Sequence, residues 1–185
     1  WAVEESDPDR IVERWLASSA YKAAETWYGD VRLAAYGMPV ARQAATLARR
    51  LEDVQFGGEI ALRAYSIVPE KAQPGDIIRV ELSWEALEEP GGRYKVFLHL
   101  VGPDGQIAAQ VDMEPGDGMN LTTNWMPDSG IFADRYGLLV PLGTPGGPYQ
   151  ILMGLYDASG APRLPLAVDG RPAGDALTLG TLTIE

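Results

Sequence analysis

The sequence has no cysteine and a single histidine among its 185 residues. Without cysteine, disulfides, thiolate metal sites and cysteine nucleophiles are all excluded. One histidine also excludes histidine-rich metal sites, and it leaves His99 as the sole candidate for an imidazole base. No apolar run approaches the roughly 20 residues that a membrane-spanning helix needs. We therefore predict no metal ion and no other cofactor.

Positive charge is also scarce. Lys and Arg together number 15 against 26 Asp and Glu, which gives a formal net charge of -11. A field of this sign opposes binding to a phosphate backbone, so we predict no nucleic acid partner. Arg42, Arg49 and Arg50 come nearest to a basic cluster, and we expect them to lie on a solvated face. Because the sequence begins at Trp1 with no charged-then-apolar leader, we expect a fragment or a processed form.

The first thirty residues predict a helix. Ser6 supplies an N-cap hydroxyl, Pro8 a proline in the first turn, and Asp9 an acid near the positive end of the helix dipole. Gly29 and Asp30 are typical of its end. Between them, side chains recur at three- and four-residue steps, as on one helix face: Val12, Trp15, Leu16, Ser19, Ala23 and Trp27.

From Val31 onward the apolar pattern changes to a period of two. Eight runs of strand length follow, rich in β-branched or aromatic residues and bounded by Gly, Pro or Asp. They cover residues 31–36, 59–68, 76–86, 94–102, 106–113, 135–142, 149–157 and 177–184. For residues 38–53 the pattern is compatible with one or two helical turns or with an irregular connection, and both alternatives are kept.

The connections between these runs favour antiparallel pairing. Residues 103–105 and 158–160 are short turns that only hairpins permit, and no helical pattern separates consecutive strands. Gly180 lies where the alternation changes phase, which predicts a β-bulge. We predict a mainly β protein, an antiparallel β-sandwich of jelly-roll or immunoglobulin-like type preceded by one N-terminal α-helix. Residues 1–55 would form the helix, a short strand and a linker, and residues 56–185 the sandwich domain.

The connection over residues 114–134 is too long to be a turn, and loops of this length are often functional. Trp125 and Tyr136, with Asn124 and Asp134 beside them, are the candidate ligand-binding residues, since exposed aromatic rings can stack on a sugar. The alternative, which we prefer for Trp125, is that its side chain folds inward and fixes the loop to the sandwich.

No catalytic constellation stands out. His99 shares a strand face with Phe97 and Val101, and no Gly-x-Ser-x-Gly elbow supplies a nucleophile, so we favour a structural histidine in or beside the core. The carboxylates fit turn and cap duty better than calcium binding. Those at or near strand ends are Asp104, Asp112, Asp117, Asp128, Asp134 and Asp157. A hydrolase using an Asp/Glu pair is left open as a third hypothesis.

Residues 56–184 resemble a domain of bacterial multi-pass membrane glycosyltransferases of the dolichyl-phosphate-mannose protein mannosyltransferase type. The matching pieces are residues 74–76, 82–84, 94–100, 105–112, 122–127 with Trp125, 134–136, 148–157 and 163–165. The resemblance implies a non-catalytic accessory domain on the extracytoplasmic face of a bacterial cell membrane. Its partner would be the membrane-spanning part of the same parent protein, and it would bind or present a glycan or an acceptor. A carbohydrate-binding module of a secreted system is the alternative.

Overall fold

A computed structural model describes residues 9–39, 48–160 and 162–185. The helix α1 and the fourteen strands β1 to β14 have these bounds: α1 Ile11–Ser19, β1 Tyr21–Tyr28, β2 Val31–Gly37, β3 Arg49–Arg50, β4 Val54–Phe56, β5 Ile60–Val68, β6 Lys71–Ala72, β7 Ile77–Ala86, β8 Tyr94–Val101, β9 Ile107–Met113, β10 Phe132–Leu139, β11 Gly147–Asp157, β12 Leu166–Val168, β13 Arg171–Pro172 and β14 Leu177–Ile184. Two 3-10 turns, Pro115–Gly118 and Thr122–Asn124, lie in the long connection between β9 and β10. Within the described residues, no helix is long and apolar enough to cross a membrane.

The strands form two sheets that face each other. One has nine strands in the order β13-β12-β4-β5-β7-β10-β1-β2, with β3 pairing β5, and the other has five in the order β6-β14-β11-β8-β9. Most neighbours are antiparallel. The two parallel exceptions are short: β1 meets β10 at the single pair Lys22 and Tyr136, and β6 pairs with the end of β14. The predicted β-sandwich is therefore confirmed, while the division at residue 55 stays a prediction.

The core fills the space between the sheets, as the two-residue alternation requires. In β7 the alternating side chains of Ile78, Val80, Leu82 and Trp84 are all completely buried. The five-stranded sheet contributes inward-pointing apolar side chains from its central strands to the same core. The register of β11 on β14 shifts between Ile151 and Leu152, opposite Gly180, so the predicted bulge is confirmed.

The prediction of one long N-terminal helix is wrong. The helix ends at Ser19, and the residues after it form strand β1, which turns at Gly29 and returns as β2. The reason is tertiary: β1 gains a full ladder with β2 and lies against β10, where an added Cβ at Gly137 would come within 2.7 Å of the Ala23 Cβ. Such pairing overrides the helical periodicity, because the second half of the predicted helix contains several residues that favour strands. The predicted cap at Ser6 and Pro8 lies outside the described residues, as does Arg42.

Candidate functional site

The aromatic residues singled out in the long connection are buried. Trp125 is 3% exposed, and its ring lies edge-on to Phe132 with centroids 4.3 Å apart and 6.4 Å from Trp84. Its Nε1 donates to the backbone carbonyl and the side-chain Oδ1 of Asn120, both at 3.2 Å. The preferred interpretation, with Trp125 folded inward, is confirmed. The Trp125 ring therefore offers no exposed stacking surface in this loop.

Tyr136 and Asp134 form a buried pair instead. The Tyr136 hydroxyl donates to Asp134, which also accepts backbone N–H groups from Gly116 at 2.9 Å and Arg135 at 3.0 Å. Burial raises the pKa of Asp134 to about 6, against the lowering effect of these three hydrogen bonds. The pair fastens the start of the long connection to strand β10. Asn124 is exposed on that connection, so its side chain does not join the pair.

Two of the carboxylates near strand ends, Asp104 and Asp157, do the turn duty expected of them, whereas Asp134 is buried with Tyr136 and Asp117 binds the Lys22 ammonium. Asp104 accepts the backbone N–H of Gln106 at 3.0 Å, and Asp157 accepts that of Ser159 at 2.8 Å. In residues 9–39, 48–160 and 162–185, no group of three or more His, Asp or Glu side chains is placed to hold a metal ion.

A different surface brings polar and aromatic side chains together, on the outward side of the five-stranded sheet. In β8, Leu98 and Leu100 point into the core and are completely buried. Because side chains alternate along a strand, His99 between them points outward, as does Phe97. His99 is half-buried beside the core, where the sequence predicted it.

His99 is part of a row of four side chains that crosses four strands. Leu152 of β11 and Gln110 of β9 lie opposite His99, and Thr178 of β14 lies opposite Leu152. Adjacent strands are about 4.8 Å apart, so the row spans on the order of 14 Å. Thr178 and Gln110 at its ends are exposed, and the two central side chains are half-buried. From β14 to β9, the row thus presents the Thr178 hydroxyl, the apolar side chain of Leu152, the His99 imidazole and the Gln110 amide.

Phe97 supports this row from one side. Its ring centroid lies 4.8 Å from that of His99, and the Arg163 guanidinium carbon lies 4.3 Å above the ring. Gly154 of β11 leaves the necessary space, because a Cβ there would approach Phe97 ring atoms to 2.6 Å and the Asp175 carbonyl oxygen to 2.7 Å. The imidazole therefore rests on a rigid, buried platform.

Tyr156 and Asp112 border the same area. Tyr156 is half-buried with its ring 6.4 Å from Phe97, and the exposed Asp112 carboxylate lies near enough to influence the pKa of its hydroxyl. Burial, and then the charge of Asp112, raises the Tyr156 pKa, so the hydroxyl keeps its proton as a donor. Together with the row these residues form one surface, which we call the outer patch. Its members are His99, Gln110, Asp112, Leu152, Tyr156, Thr178, Arg163 over the Phe97 ring, and Lys95, which lies opposite Tyr156 in the register of β8 with β11.

The charge state of His99 follows from its surroundings. Burial lowers its pKa below the usual range, the neighbouring Asp112 opposes this, and Arg163 adds to it. A neutral imidazole at pH 7 offers one N–H donor and one acceptor nitrogen to a ligand. That pairing suits a hydroxyl group, which is itself both donor and acceptor.

Sequence reasoning missed the outer patch as a site. Alternation placed His99 and Phe97 on one face, but their neighbours come from strands whose register no local pattern encodes. The sequence did contain one signal for this surface. Leu152 and Tyr156 lie in a run predicted as a strand, and alternation alone places their side chains on the same face.

Comparison with known proteins gives little beyond shape. No protein-family profile matches the chain, and no curated protein matches its sequence. Among solved structures, the C-terminal domain of Wzt aligns with a TM-score of 0.48 and 13% identity over 74% of this chain and 80% of that one. A Niemann-Pick type C2 protein from the Japanese carpenter ant aligns with a TM-score of 0.42 and 9% identity over 72% and 100%. At these scores neither similarity indicates what this chain binds.

Proposed function

We propose that this chain is a non-catalytic binding domain and that a glycan lies along its outer patch. The observation that carries the proposal is the cross-strand row of Thr178, Leu152, His99 and Gln110, set on a rigid sheet. The strand backbone is already ordered, so binding costs only the immobilisation of exposed side chains, which favours affinity at a shallow surface.

The chemistry of the outer patch matches that of a sugar. Sugar rings carry many hydroxyls and one apolar face, so they need donor–acceptor groups around a flat apolar surface. Gln110, Asp112 and neutral His99 supply donors and acceptors, while Leu152 and the Tyr156 ring supply apolar surface. Lys95 and Arg163 are placed to add charge-assisted hydrogen bonds, which extends the match to sugars that carry a carboxylate.

We also propose that the domain belongs to a membrane glycosyltransferase-like parent protein and lies on the extracytoplasmic side of a bacterial membrane. The support is the resemblance of residues 56–184 to domains of that class. An accessory domain with a glycan-binding surface would hold a product or acceptor near the parent's membrane part. A secreted carbohydrate-binding module would use the same surface. Membrane helices encoded before residue 1 in the gene's full reading frame would favour the membrane-bound parent protein over the secreted module.

Binding to a glycan array, followed by calorimetry with the tightest oligosaccharide, tests the proposed ligand class. A His99→Ala, Gln110→Ala double variant is expected to weaken binding at least tenfold, since it removes the centre and one end of the row. Asn124→Ala is the matched control, because this exposed amide lies on the long connection, and it is expected to bind as the unaltered protein does. Equal affinity of the double variant, or loss with Asn124→Ala, would contradict the assignment.

A further inference from the structure

A cleft of about 400 Å³ separates the N-terminal hairpin from the edge of the five-stranded sheet. It is lined by residues 22–25 of β1, residues 110–113 of β9, and Asp117. Side chains alternate along a strand, so four consecutive residues can all line one cleft only where the backbone edge of that strand faces it. Two strand edges, one from each sheet, therefore face each other across this cleft.

Both edges lack a strand partner within the described part of the chain. β9 is the last strand of its sheet and pairs only with β8. β1 pairs with β2 on one side, and on the other it meets β10 only at Lys22. From Ala24 onward the second edge of β1 is therefore open, and it presents backbone N–H and C=O groups toward the cleft.

We propose that an extended polypeptide segment carrying a basic side chain binds in this cleft as an added strand. A peptide backbone offers N–H and C=O groups at the strand repeat, which is the chemistry that two facing edges require. Ala23 and Ala24 have the smallest side chains of the cleft lining, which leaves room for a backbone. Such a strand would join the two sheets along this side of the sandwich.

The charges at the cleft select a basic segment. The Lys22 ammonium is already held by the Asp117 carboxylate, with contacts of 2.9 and 3.0 Å, and by Glu25. The cleft lining holds three acids, Glu25, Asp117 and, at the border with the outer patch, Asp112, against the single cation Lys22, which leaves the cleft negative. A lysine or arginine on the bound segment would offset that charge.

The test is an NMR titration of the isotope-labelled protein with a nine-residue peptide of alternating serine and threonine around a central lysine. Saturable shifts are expected at the amides of residues 110–113 and of Ala24 and Glu25. Slower hydrogen exchange is expected only at those whose N–H groups point into the cleft, because the alternate N–H groups already pair with β8 or β2. The same peptide with every backbone amide methylated can donate no hydrogen bond to either edge, and it is expected to shift none of them. A Glu25→Lys variant should weaken binding at least fivefold, and Glu88→Lys, an equal charge change at an exposed residue outside the cleft lining, should leave it unchanged.

Three results would overturn the proposal. One is the absence of localised shifts at millimolar peptide, and the second is equal binding of the methylated peptide. The third is strong exchange protection, in the free protein, of the amides whose N–H groups point into the cleft, since this would mean that another segment or a second copy already fills it. The proposal does not rest on glycan binding, and the variants used here leave the outer patch intact.

Discussion

The two faces of the five-stranded sheet are built from the same strands but differ in what their side chains do. On the inner face, Leu98 of β8 and Ile151 of β11 are completely buried against the other sheet. On the outer face, the next residue along each strand, His99 and Leu152, is half-buried at the surface. Adjacent positions thus differ in role: the inner side chains fix the frame, and the outer ones at these two positions stay partly accessible, as the proposed glycan site requires.

Leu98→Ala should have the largest effect on stability. The side chain is completely buried, so its truncation removes apolar contacts and leaves a cavity, which costs about 2–5 kcal/mol of unfolding free energy. Urea denaturation monitored by tryptophan fluorescence measures this change. Glycan binding by the folded variant should be unaltered, and a loss of stability below about 1 kcal/mol would contradict the assigned role.

Gly154→Ala should destabilise the protein by about 1–3 kcal/mol, because the new methyl group would overlap the Phe97 ring and the backbone of Asp175. This variant links stability to the outer patch, since Phe97 supports the His99 ring. Calorimetric unfolding and glycan titration should therefore both change. A matched control is Gly58→Ala, where nothing lies within 4 Å but the φ of +79° is strained, so stability should fall without loss of binding.

Asp134→Asn should alter the pH dependence of stability. The native carboxyl has a pKa of about 6 against 3.8 for the free group, so between these values the native state binds the extra proton. Its contribution to stability is present at low pH and is lost as the pH rises through about 6. Replacement by the uncharged amide removes this decline. The stability of the variant relative to the unaltered protein, measured from pH 4 to 7.5, should therefore rise with pH, and a flat or falling difference would contradict the buried pair.

His99→Ala should have the smallest effect on stability, within about 1 kcal/mol, because the side chain lies outside the packed core. It should nevertheless weaken glycan binding by itself. Binding to the unaltered protein should also fall as the pH drops below the lowered pKa of His99, since protonation removes the acceptor nitrogen. The variant should lose this pH dependence, which calorimetry at several pH values would show.

Most of the fold could be predicted because strand alternation is a local property. The alternating apolar residues of β7 predict a strand, and the phase change near Gly180 predicts a bulge; each pattern can be recognised within a few residues. The N-terminal segment could not, because Ala23 and Trp27 fit a helical stripe as well as a strand. The choice between them depends on β2 and on the closeness of β10 at Gly137, which lies more than one hundred residues away.

The candidate site was harder to predict for the same reason. Trp125 was rightly expected to be drawn inward, since a large aromatic side chain gains most from burial. The outer patch depends on the register of β9, β8, β11 and β14, which places Gln110, Leu152 and Thr178 beside His99. Strand order and register are properties of the tertiary structure, and residue spacing in the sequence does not predict them.

The most direct test of the proposed function is to locate a bound glycan by intermolecular NOEs, using the oligosaccharide that binds most tightly on the array. The account predicts NOEs from sugar protons to the His99 and Tyr156 rings and to the Leu152 methyl groups. NOEs to Trp125 or the residues around it, with none to the outer patch, would contradict it.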